Sequence, residues 1–190
     1  MRTLISTAFV SLDGVVEDPG GQSDYRNGGW SFKAVEFVPE AYAIKGSEQM
    51  ESTALLLGRK SYQMFAPVWP SMAEFEHYNA LPKYVVSTTL GDDDLVDGWG
   101  PTTILRSLDD VAALKDTEGG PIIVHGSAKL NHALGDVGLI DRYNLLVFPL
   151  LLGAGERLFS DSDKDAQKLT LVESEVYSNG VQKNVFDVIH

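Results

Sequence analysis

The chain contains no cysteine. Disulfides, thiolate nucleophiles and Cys-ligated zinc or iron–sulfur centres are thereby excluded. Histidine is scarce as well: His77, His125, His132 and His190 are spread along 190 residues without metal-ligand spacing, so no metal site is expected. No apolar run reaches the length of about 18 residues that a membrane-spanning helix needs. There is no Gly-x-Ser-x-Gly elbow, and no glycine-rich stretch ends in Gly-Lys-Ser/Thr. Basic residues are few, 15 Lys and Arg against 27 Asp and Glu, for a formal net charge of -12. Nucleic acids and anionic membranes are gripped by clustered cations, so neither is an expected partner, although one pocket of an acidic protein can still be positive. Met1-Arg2-Thr3 leads directly into an apolar run, and a cytoplasmic location is the expectation.

What is present is a globular composition, 44% hydrophobic, with length for one domain over 1–190 and a two- or three-layer core. Short apolar runs at Leu4 to Val10, Ala54 to Leu57, Lys83 to Ser87, Thr102 to Leu105 and Ile122 to Val124 read as buried strands. Helices are expected from Pro39 to about Ser52, over Met72 to Ala80 behind a Ser71–Glu74 capping box, and from Ser107 through Lys115. Ser178-Asn179-Gly180 between two alternating runs predicts a C-terminal hairpin. The assembled expectation is an α/β fold with parallel strands early and an antiparallel hairpin last.

Pro121 to Phe159 organises the rest. A strand, Ile122-Ile123-Val124, passes through His125-Gly126-Ser127 into a helix that Ser127 is placed to cap and Gly135 to stop, and Tyr143 to Leu152 returns to the sheet. A strand, a small-residue turn and a helix N-terminus present free backbone N–H groups beyond the strand's C-terminal edge, which is an anion site. A purely structural turn is the alternative. Gly58-Arg59-Lys60-Ser61 adds a permissive glycine, two cations and a hydroxyl at a second strand exit, and Ser87-Thr88-Thr89 repeats the hydroxyls at a third. Together these ends suit an extended, doubly phosphorylated molecule; solvent-facing turns, with Arg59 paired to a carboxylate, are the other reading. The Gly-rich segment from Val15 to Trp30 has the glycines and aromatics of a lid; a static surface loop pinned by Trp30 is the other reading.

These features resemble the dihydrofolate-reductase-like superfamily, in the branch of the reductase domain of bacterial riboflavin biosynthesis. Ser11-Leu12-Asp13-Gly14, Leu55 to Tyr62, Lys83 to Ser87, Val124 to Ser127, Leu139-Ile140-Asp141 and Pro149 to Gly155 carry the resemblance, in order, over nearly the whole chain. It implies a mixed, mostly parallel twisted sheet flanked by helices, NADPH lying across the strand ends, and a homodimer. Gly58, Arg59, Lys60 and Ser61 would hold the phosphates of the adenosine side, Ser87 and Thr88 the adenine end, and His125, Gly126 and Ser127 the pyrophosphate. Ser11, Asp13, Gly14 and Trp30 would border nicotinamide and substrate. The implied activity is reduction of a small heterocycle, extending to a 5-amino-6-(5-phosphoribosylamino)uracil reductase-like or dihydrofolate reductase-like reaction; a non-catalytic ligand-binding protein is the alternative. Dihydrofolate reductases carry a carboxylate on the helix after the first loop. Glu36 and Glu40 lie in the corresponding region without a matching pattern, and no catalytic residue is assigned.

Overall fold

Alternation within the short apolar runs sets the architecture. In β1 (Leu4–Ser11), Leu4 and Val10 face one side while Ile5 and Phe9 face the other; in β2 (Ala54–Gly58), Ala54 and Leu56 are likewise divided from Leu55 and Leu57. Strands apolar on both faces must lie between two helical layers. The computed structural model, which describes residues 1–190, shows that arrangement. β3 (Lys83–Val86), β4 (Thr102–Leu105), β5 (Ile122–His125), β6 (Arg142–Phe148), β7 (Leu169–Val176) and β8 (Gln182–Val188) complete one sheet of order β4-β3-β2-β5-β1-β6-β8-β7. β1 to β6 run parallel, β8 is antiparallel to β6, and β7 is antiparallel to β8. The mixed sheet with its terminal hairpin is the fold expected from the sequence.

On one face, α5 (Leu108–Lys115) and α6 (Ala128–Asp136) bury a single apolar cluster through Val111, Leu114, Leu130 and Leu134. On the other face, α3 (Arg59–Phe65) and α4 (Glu76–Ala80) contribute Tyr62 and Tyr78 to a second cluster. A third forms around Trp30 of α1 (Trp30–Lys33) and Ala41 of α2 (Pro39–Glu51). The Leu139-Ile140-Asp141 motif has a structural purpose: the Asp141 carboxylate accepts the Leu4 N–H at 2.6 Å and pairs with buried Lys115 at 2.8 Å, fixing the start of β1.

Several local expectations need correction. The Ser71 hydroxyl donates to the Val68 carbonyl at 2.8 Å and closes a short 3-10 turn, so it caps nothing; the helix expected over Met72 to Ala80 breaks into a 3-10 turn, Ala73–Phe75, followed by α4. Gly135 lies inside α6, where a Cβ would come within 3.3 Å of the Tyr143 hydroxyl, and the left-handed stop is Gly138 at φ 69. Ser127 makes no capping bond to α6 and reaches across to β2 instead. The run from Tyr143 to Leu152 leaves the sheet at Phe148, because Pro149 has no N–H to donate. No helix is long and apolar enough to cross a membrane.

Candidate active site

Parallel strands gather their C-terminal ends along one edge, and the strand-exit turns singled out in the sequence, at Gly58 to Ser61, Ser87 to Thr89 and Gly126 to Ser127, lie there. Gly126 and Ser127 both adopt left-handed backbone, φ 64 and φ 65. The strained turn is held from beneath by Asn131 of α6, whose Nδ2 donates to the Gly126 carbonyl at 2.7 Å while its Oδ1 accepts from the Ser6 hydroxyl at 2.6 Å. The backbone N–H groups of Gly126 and Ser127 donate to no group of the protein. A left-handed residue passing into a helix makes the concave N–H arrangement that favours anions. Ser127 Oγ accepts the Gly58 N–H at 2.9 Å, which joins the β5 turn to the β2 exit. A Cβ on Gly126 would lie 3.4 Å from Ser61 Oγ and 3.5 Å from Phe65, so only glycine leaves that approach open.

Arg59 is exposed and donates to Thr89 Oγ1 at 2.7 Å; it is paired with no carboxylate. Lys60 behaves differently, extending to Glu17 of the first loop at 4.0 Å. At the β3 exit, Ser87 Oγ accepts the N–H groups of Thr89 and Leu90, so that hydroxyl shapes the turn, while Thr88 is exposed. Arg106, at the end of β4, fixes the same turn from below by donating to the carbonyls of Ser87 and Leu90.

Asp13 ties two loops together. It accepts from Ser11 Oγ at 2.6 Å and from the N–H groups of Leu152 and Gly153 at 3.1 and 2.7 Å, and these bonds, Ser11 first, hold its carboxyl at about 2. Gly14, at φ 86, lets the chain turn back into a bridge between Val15 and Arg157. The segment from Val15 to Trp30 is therefore anchored at both ends. Trp30, expected beside the substrate, is buried edge-on against Phe148 at 5.2 Å, and its Nε1 donates to the Glu17 carbonyl.

The same alternation decides where His125 points. It follows Ile123 onto the face covered by α3 and α4, where its ring stands edge-on to Phe65, Trp69 and Tyr78 at 5.7, 5.0 and 5.9 Å. Burial, helped by the Lys45 charge, lowers its pKa to about 3, and its Nδ1 is buried without a partner. It is thus turned away from the open edge where Gly126 and Ser127 lie.

A group not found in the sequence occupies this face. Thr7 Oγ1 donates to both oxygens of Glu48 at 2.8 Å, and Lys45 Nζ donates to Thr7 Oγ1 and stands 3.3 Å from Glu48. Burial lowers the pKa of Lys45, and Glu48 opposes that shift. Glu48 is the buried carboxylate of α2, whereas Glu36 and Glu40 are exposed. The signal was the pair Ser6-Thr7 in a strand buried on both faces: each hydroxyl needs a partner from a different layer, and they find Asn131 and Glu48. No three His, Asp or Glu side chains are placed to hold a metal ion.

A mixed eight-stranded sheet of this order, flanked by helices and ending in an antiparallel hairpin, has the dihydrofolate-reductase-like α/β fold. Residues 2–183 match the RibD C-terminal domain, and the chain belongs to that family. It is similar to the uncharacterized protein YyaP of Bacillus subtilis (strain 168), at 27% identity over 192 residues, covering 97% of this chain and 94% of the relative. Its fold resembles a putative riboflavin biosynthesis protein from Shewanella sp. PV-4, with TM-score 0.75, 19% identity and 99% of both chains covered. It also resembles dihydrofolate reductase from Enterococcus faecalis complexed with NADP(H) and RAB-propyl, with TM-score 0.63, 13% identity, and 99% and 97% of the two chains covered.

Proposed function

We propose that the protein is an NADPH-dependent reductase of a small, planar heterocyclic substrate. The observation that carries this reading is the convergence, on one sheet edge, of the unpartnered Gly126 and Ser127 N–H groups, the Ser61 hydroxyl and an Arg59 guanidinium free of any carboxylate. These donors fit a dinucleotide phosphate chain: N–H groups of a left-handed turn suit a pyrophosphate, and a guanidinium held by a neutral hydroxyl keeps donors for a further phosphate. Membership of the RibD C-terminal family and the fold shared with a reductase complexed with NADP(H) support it.

In this reading Arg59 and Ser61 bind the adenosine-side phosphates, Gly126 and Ser127 approach the pyrophosphate, and Ser87 and Thr88 border the adenine end. Ser11, Asp13 and Gly14 fix the loop beside the reacting ring, and the segment to Trp30 shields it from water. NADPH supplies a hydride when bound; the chain's share is to orient the acceptor and exclude solvent. Assembly as a cytoplasmic homodimer completes the proposal. All eight residues of β7 are exposed, with Leu169, Leu171, Val172 and Val176 among them, and an open apolar edge strand is an aggregation hazard unless a second copy covers it.

The test is oxidation of NADPH by wild-type protein against a panel of pterins, pyrimidines and quinones. Turnover with one acceptor class is the expected result. Tight NADPH binding with no turnover across the panel favours the ligand-binding alternative, and absence of NADPH binding overturns the reading.

A further inference from the structure

Beyond α2 one face of the sheet is left open. The helix packs over β6 through Ala41 and Leu146, and farther out all eight residues of β7 are exposed. Between them runs a groove of about 520 Å³, walled by α2 and β7 and floored by β6 and β8. None of the strand-exit turns at Gly58, Ser87 or Gly126 lines it.

Helical spacing builds the first wall. Glu40, Ile44, Ser47 and Glu51 stand at i, i+4, i+7 and i+11, one stripe along α2. At 1.5 Å per residue its two carboxylates are set about 16 Å apart. Neither is in an ion pair. Glu51 helps to raise the Arg142 pKa, but that guanidinium gives its donors to Asp187, at 2.6 Å. Between the two charges the lining is apolar, with Ile44 joined by Val172 and Val185 of the hairpin. On the second wall Glu173 and Glu175 share the single Lys183, at 2.6 and 3.0 Å. Five carboxylates thus line the groove against two cations. On the floor Asn144 is only 7% exposed, and its Oδ1 is buried with no partner. An unpaired buried acceptor is costly. A half-turn of the amide offers that oxygen to the groove, where its complement is an N–H donor.

We propose that this groove binds a linear aliphatic polyamine. Its end ammonium groups lie at Glu40 and Glu51, its methylene chain covers Ile44, Val172 and Val185, and an inner N–H donates to Asn144. The excess of carboxylates selects a cation, and the apolar strip between them selects an organic one. No three acidic or histidine side chains converge to hold a metal ion. The distance between the end carboxylates favours a long chain over a single amine, and a net charge of -12 draws polycations to the surface. The site stands apart from the strand-edge cleft and does not depend on the reductase reading.

The experiment is a calorimetric titration of spermine into the full chain at low and at physiological salt, with putrescine as the short cation and Mg²⁺ as the compact one. The expected result is one spermine per chain, bound more tightly than putrescine, with no comparable Mg²⁺ site. Glu40→Gln and Glu51→Gln should each weaken spermine about two- to fivefold. Asn144→Leu should weaken it about tenfold with NADPH affinity unchanged; if that variant fails to fold, the double glutamate variant carries the test. Joint replacement of Asp92, Asp93 and Asp94 by Asn, in the loop between β3 and β4 at the other end of the sheet, should leave spermine binding as it was. Absence of one-site spermine binding, equal binding of Mg²⁺, or an equal loss in the Asp92–Asp94 variant overturns the proposal. Light scattering on the same samples identifies the rival occupant: a dimer that excludes spermine and dissociates in the double glutamate variant assigns the groove to a second copy of the chain, and likewise overturns it.

Discussion

The two faces of the sheet are built differently. Under α5 and α6, fifteen buried apolar residues form one continuous cluster from Leu4 to Val188. Under α1 to α4, the buried apolar residues divide into clusters of eleven and five, and a row of polar side chains, His125, Thr7 and Asn144, lies where they part. Continuous packing is what stabilises a domain. A face that interrupts it with a buried ion pair and two unpaired polar atoms gives up stability, because such a pair is seldom better than well-packed apolar residues. The comparison assigns the more continuous packing to the first face and the less stabilising packing to the second.

Substitution offers the largest test of that division. Leu56→Ala, in the continuous cluster and fully buried, should cost about 2–5 kcal/mol in urea unfolding. His125→Leu should cost under about 1 kcal/mol, or stabilise, because it removes a buried nitrogen that has no partner. Equal losses would erase the distinction between the faces.

Acid should expose the same asymmetry. The His125 pKa is lowered from 6.5 to about 3. Between those values the unfolded chain binds more protons than the folded one. Stability is therefore intact above 6.5 and falls as pH drops towards 3, by at most about 1.4 kcal/mol per pH unit from this group. Asp13 acts lower: its contribution is present above 3.8 and lost as pH falls to about 2. In His125→Leu the decline that begins near 6.5 should vanish while the lower one remains, as followed by urea midpoints across pH.

Gly126→Ala probes the edge itself. An L-residue at φ 64 costs about 1–2 kcal/mol, and its Cβ would crowd Ser61 Oγ at 3.4 Å. NADPH binding should weaken roughly tenfold, by fluorescence titration, with thermal unfolding still cooperative. The smallest expected effect lies in the first loop. Hydrogen exchange between Pro19 and Asn27 should slow when NADPH is added. The Val16 amide, already bonded to the Glu156 carbonyl at 2.9 Å, should not change.

Much of this was legible in the sequence because strands and their exits are local. Runs such as Leu55-Leu56-Leu57-Gly58 announce both the strand and the turn that ends it, and Asn179-Gly180 announces the hairpin, where Gly180 takes φ 81. The strand-end residues came together because parallel strands share one C-terminal edge. The polar row was not legible. Thr7, Glu48, Lys45 and Asn144 come from three distant elements, and α2 has too weak a periodic pattern to show which of its residues faces the sheet. The Ser71–Glu74 capping signature misled for a related reason: Val68 lay close enough to take the serine hydroxyl first.

The most direct measurement is a calorimetric titration of NADPH and NADH into wild-type and Arg59→Ala protein. Arg59 is held over the edge by Thr89 and by no carboxylate, and a charge-assisted contact of this kind is worth about 1.5–3 kcal/mol, or roughly 10- to 150-fold in affinity. The account predicts one-site NADPH binding to the wild type, a loss of that size for NADPH in the variant, and little change for NADH. No NADPH binding to the wild type, or equal losses for both nucleotides in the variant, would contradict it.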